Sequence, residues 1–106
     1  MPAPPPEGAK HVIVRDRPVF TVEISAIRAH AAARHLLRLV EDMGYVPYLV
    51  PEKCGIRGDE RNVICVPEER RASEAVAART VRLSSRAFDA RHVKALLRHN
   101  SSYTSG

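Results

Sequence analysis

The hydrophobic pattern changes period once between residues 19 and 44, and that change restricts the fold more than any other feature of the chain. From Val19 to Ser25 the pattern alternates: Phe20, Val22 and Ile24 face one way, and Val19, Thr21 and Glu23 face the other. A period of two is that of a strand with one buried face. From Ala26 onward the spacing becomes helical. Ala26, Ala29, Ala33, Leu36, Leu37, Val40 and Met43 form one apolar stripe, with Arg34, Arg38, Glu41 and Asp42 toward the other side. Ser25 has the chemistry of an N-cap and Gly44 that of a C′ residue, so the spacing predicts a helix from about 26 to 43.

The rest of the chain continues in the same way. Tyr45 to Pro51 reads as a strand, and Pro47, which has no N–H to donate, argues for an edge position. Residues 52–61 form a polar connector containing Gly55 and Gly58, and residues 62–66 form an apolar strand. Pro67 suits the first position of a helix, and Glu68 and Glu69 put negative charge on its first turn. That helix would run to about Arg79 and bury Ala72, Ala75 and Val76. Thr80 to Ser84 alternates again. Asp89 then caps a last helix whose buried side is Val93, Leu96 and Leu97. Ahead of all this, His11 to Asp16 reads as a short additional strand, interrupted by Pro18.

From residue 19 the order is β-α-β-β-α-β followed by a helix. The expected fold class is therefore α+β: a ferredoxin-like split βαβ sandwich (βαββαβ) with an additional N-terminal strand and a C-terminal helix. Both crossover helices would lie on one face of a four-stranded antiparallel sheet. Residues 1–10, rich in proline, read as a disordered arm, residues 11–99 as a single α+β domain, and residues 100–106 as a flexible tail.

No apolar run approaches the ~20 residues of a membrane helix. The opening residues lack the apolar core of a secretory signal. The two cysteines, Cys54 and Cys65, are too few for a disulfide scaffold and read as thiols in a reducing, cytoplasmic setting.

Charge carries the strongest functional signal. The chain has a net charge of +5, with 17 Lys and Arg against 12 Asp and Glu. Abundant Arg, Ala and Pro can follow from GC-rich codons alone, so position is more informative than total. Residues 1–67 hold nine basic and eight acidic side chains, whereas residues 68–106 hold eight and four. Arg91, Lys94 and Arg98 fall at i, i+3 and i+7 on the last helix, opposite Val93, Leu96 and Leu97. Arg82 projects from the preceding strand and Arg86 sits in the turn. Arginines in such a set can grip phosphates bidentately. The expected function is a small basic nucleic-acid-binding or regulatory protein contacting phosphates through Arg82, Arg86, Arg91, Lys94 and Arg98.

Two other readings use the same residues. A non-enzymatic interaction module (subunit, adaptor or inhibitor) would meet an acidic protein partner, and a homodimer is compatible with it. A helix-turn-helix across residues 71–98 would need residues 80–84 to be turn rather than strand.

Other chemistry lacks a pattern. His30 and His35 are five apart on the helix, His92 and His99 are two turns apart, and the cysteines lack zinc-site spacing, so no metal site is expected. There is no glycine-rich nucleotide loop or nucleophile motif, so neither a catalytic residue nor a cofactor is expected. Asp59 and Glu60 are neighbouring acids in a connector, where solvation is the ordinary outcome. The five aromatics, Phe20, Tyr45, Tyr48, Phe88 and Tyr103, show no RNP-type pattern. The Arg57-Gly58-Asp59 tripeptide and the sequon at Asn100 would matter only on a secreted protein.

Overall fold

The computed structural model describes residues 7–55, 58–70, 72–89, 91, 93–95 and 97. The arm residues 1–6, Arg57, Leu96, Arg98 and the tail 100–106 lie outside the described residues. The elements are α1 (Glu7–Asp16), β1 (Phe20–Ser25), α2 (His30–Asp42), β2 (Tyr45–Leu49), β3 (Glu60–Pro67), α3 (Glu74–Arg79) and β4 (Val81–Arg82). They form a mixed α+β fold around a four-stranded antiparallel sheet of order β1-β3-β2-β4. Residues 91, 93–95 and 97 are helical, following Asp89, whose carbonyl accepts from Val93 N at 3.0 Å.

Strand pairing fixes the faces. Val22 lies opposite Val63 and Leu49 opposite Val63, while Phe20 and Pro47 both lie opposite Cys65. Phe20, Val22, Ile24, Val63, Cys65, Tyr45, Pro47 and Leu49 therefore share the face that α2 covers with Ala33, Leu36, Leu37 and Val40. Leu83, Phe88, Val93 and Leu97 complete this core. The alternating strand and the helical stripe thus meet as the spacing requires.

The strand order corrects the expected topology. The split βαβ arrangement returns the last strand to the side of the first, but here β4 pairs with β2, Tyr48 opposite Arg82 and Leu49 opposite Val81. A right-handed β3-α3-β4 crossover in this order carries α3 to the sheet face opposite α2. Consistent with that, no α3 residue belongs to the core cluster or is fully buried. Ala72 and Val76 are half-buried and Ala75 is exposed. The second helix on the core face is the C-terminal segment, not α3.

Four local expectations are also corrected. His11 to Asp16 is not a strand but the body of α1, closed by Arg17 at φ 55° and by Pro18. Arg17 N donates to Ile13 O at 2.9 Å, and only Ile13 of the Val12-Ile13-Val14 run packs against the core. The Ser25 cap is not formed, because residues 26–29 are a turn and α2 starts four residues later than expected. Pro67 ends β3 rather than opening a helix, and Ser73 caps α3 by accepting from Val76 N at 3.2 Å. Pro47 sits in an interior strand. Its carbonyl accepts from Leu83 N at 2.9 Å, so its missing N–H also faces β4. β4 stops at two residues beside it.

Candidate functional site

Two arginines earlier in the chain show what a fully engaged cation looks like here. Arg17 donates to Met43 O, to Gly44 O at 2.8 Å and to both oxygens of Glu69 at 2.7 and 2.9 Å, and its guanidinium lies 4.7 Å from the Tyr45 ring centroid. It satisfies carbonyls left open at the end of α2 and fixes Glu69 bidentately. That pairing holds the Glu69 carboxyl down at about 2. Gly44, at φ 79°, lets the chain leave α2 beneath this guanidinium. Arg61 is 1% exposed and donates to the carbonyls of Pro51, Gly58 and Glu60 at 2.8–2.9 Å. Burial lowers its pKa, with opposing influences from Cys54 and Asp59.

The connector acid Asp59 is not solvated, which corrects the expectation for it. It is 6% exposed, and Oδ2 accepts from Ile27 N at 3.1 Å and Arg28 N at 2.6 Å. Those two hydrogen bonds hold residues 26–29 as a turn and explain the late start of α2. Burial raises its pKa, but the backbone donors outweigh that and leave it lowered. Cys65 is buried and free, its thiol pushed up by burial to about 12, and Cys54 is free and half-buried. Among the described residues no His, Cys, Asp and Glu side chains group as metal ligands would.

The C-terminal cations are arranged differently. Arg82, Arg86, Arg91 and Lys94 are all exposed, while Leu83, Phe88, Val93 and Leu97 between them are buried. The ion pairs among the described residues, Arg15–Asp16 and Arg17–Glu69, lie elsewhere. The turn at 85–87 is anchored on α2: Ser85 donates through N, at 3.0 Å, and through Oγ to Glu41, and Arg34 Nε donates to Ser85 O at 3.0 Å. Phe88 stacks on His30, with centroids 4.9 Å apart and planes within 2°.

Arg86, Arg91 and Lys94 thus belong to the segment docked beside α2. Arg82 does not join them directly. The alternation of β4 sends it to the opposite sheet face, alongside Tyr48. Arg98 lies outside the described residues.

Sequence reasoning overlooked the exposed side of α2. His30, Arg34 and Arg38 recur at i, i+4 and i+8, and with Ala31 and His35 they line an open hollow of about 320 Å³. The spacing was visible; Glu41 and Asp42 on the same helix suggested a balanced face. Comparison with protein-family models, with curated proteins and with solved structures finds no match to this chain. The fold and surface define a class: a small α+β protein, with no helix among the described residues long and apolar enough to cross a membrane.

Proposed function

We propose that the protein binds nucleic acid through its phosphates, using Arg86, Arg91 and Lys94 on the C-terminal segment. Arg98 continues their stripe by sequence spacing, and Arg82, on the opposite sheet face, would extend the contact around the β4 edge. The observation that carries the reading is the sorting of this segment: Leu83, Phe88, Val93 and Leu97 are buried, and its described cations are exposed outside the ion pairs of the described residues. Cations presented this way can displace the counterions of a phosphate backbone, which requires no base recognition.

Arg86→Glu, Arg91→Glu and Lys94→Glu together should abolish binding to purified DNA or RNA and leave the domain folded. Each phosphate interaction removed should flatten the log–log salt dependence by about 0.9 on duplex or about 0.7 on single strands. Fluorescence anisotropy at several salt concentrations measures both. Wild-type affinity no tighter than about 10⁻⁴ M at low salt, below ordinary non-specific binding, ends this reading.

The second reading is an interaction module, and the β1 edge favours it. β1 is an outer strand of six residues, and Val19 beside it is 51% exposed. A partner strand could add there, and an acidic protein could use the same cationic surface. Capture of protein, with no affinity for purified nucleic acid, distinguishes this case.

A further inference from the structure

We propose that the hollow on α2 is a phosphate pocket, in which Arg34, Arg38 and His35 hold one phosphate group of a nucleic acid beside the His30 ring. It extends the nucleic-acid reading to a second surface, and its test can fail independently of that reading.

The lining supplies the argument. Among the described residues five bound the hollow, two of them arginines and two histidines, and none of these is a carboxylate. Placing Arg34 and Arg38 four apart sets like charges on successive turns, which works against the helix unless an anion lies between them. The acids at the end of α2 do not relieve this. Glu41 is taken by Ser85, and neither Glu41 nor Asp42 forms an ion pair with Arg38.

Arg34 is also pre-positioned. Its Nε is tied to Ser85 O at 3.0 Å, and neither of its Nη groups has a hydrogen-bond partner among the described residues. A guanidinium fixed through one nitrogen loses less freedom when its remaining fork closes on a tetrahedral anion. His30 forms a fixed wall, stacked on buried Phe88, with its Nε2 shielded from solvent. Ala31 contributes only a methyl group, which keeps the space between His30, Arg34 and His35 open. Two forks and the exposed His35 imidazole exceed what a monoanionic carboxylate requires and suit an anion with three or four acceptor oxygens.

The test has two arms. In the first, inorganic phosphate is titrated into ¹⁵N-labelled protein, with chloride at matched ionic strength as control. Saturable shifts confined to residues 30–38, abolished in Arg38→Gln, are expected. Arg38 is exposed and makes no hydrogen bond or ion pair among the described residues, so this variant should fold normally. In the second arm, a 5′-phosphorylated oligonucleotide is compared with its 5′-hydroxyl form. Arg38→Gln should weaken the bound form about tenfold, the loss of one charged hydrogen-bonding group. Dependence on the 5′-phosphate assigns the pocket to a terminal monoester, and equal binding of both forms assigns it to a backbone diester. Absence of a saturable phosphate response at residues 30–38 overturns the pocket, whatever the C-terminal charge reversals show.

Discussion

Arg17 and Arg61 lie among acceptors that the protein itself supplies, whereas Arg86, Arg91 and Lys94 face solvent. The first pair closes structure: Arg17 joins the end of α2 to Glu69, and Arg61 satisfies three loop carbonyls from inside the fold. The second group surrounds a docked apolar stripe and is bound by none of the ion pairs of the described residues. The same chemical group therefore does opposite work in the two regions, and the arginine content of the chain says nothing about function until each cation is assigned to one or the other.

The largest effect expected from this contrast is at Arg61. Arg61→Ala removes three charge-assisted hydrogen bonds and empties the buried volume of the Arg61 side chain, and it should cost at least about 3 kcal/mol in urea unfolding. A cost under about 1 kcal/mol would mean that water replaces the guanidinium freely and that Arg61 belongs with the surface group.

A smaller effect is expected at Arg17, and it should depend on pH. Glu69 has a folded pKa of about 2 against an ordinary 4.5, because Arg17 pairs with it. A depressed carboxyl stabilises the fold above its unfolded pKa, and the contribution fades as pH falls from about 4.5 toward 2. Melting temperatures of wild type and Glu69→Gln should therefore differ near pH 6 and converge near pH 2. Because Glu69 is half in solvent, salt should reduce the difference.

The smallest effect belongs to the exposed cations. Arg91→Ala and Lys94→Ala should each change stability by no more than about 0.5 kcal/mol, as surface substitutions do. A larger change would show that these residues support the docked segment, which would weaken the case for a ligand-binding role.

The local elements of this fold were legible in the sequence where a pattern is settled by neighbours. The faces of β1, the stripe of α2 and the terminating Gly44 follow from spacing alone. What could not be read depends on distant partners. Val12-Ile13-Val14 has strand chemistry, yet propensity differences of a few tenths of a kcal/mol per residue yield to the Arg17 turn and the docking of Ile13. Ser25 is a sound cap, but Asp59, more than thirty residues away, takes the N–H groups of the next turn. The order of β4 against β2 leaves no trace in alternation, which fixes the face of Val81 but not its neighbour. The cationic C-terminal segment was readable as a stripe. The α2 hollow was not, because only the hydrogen bonds from Ser85 reveal that Glu41 is taken and does not serve its neighbouring arginines.

Pro47 has a further consequence for how the molecule opens. Because it offers no donor toward β4, that ladder cannot lengthen, and β4 is held by far fewer backbone bonds than the β1-β3-β2 ladder. The sheet thus has a durable three-stranded part and a short flank through which the C-terminal segment is attached. Thermal fluctuation can lift the flank while leaving β1, β3 and β2 paired, exposing Leu83 and Phe88 before the rest of the core. The C-terminal cations proposed to bind phosphate therefore sit on the region whose amide protons should exchange early, so a ligand gripping them would also oppose this step of the protein's unfolding.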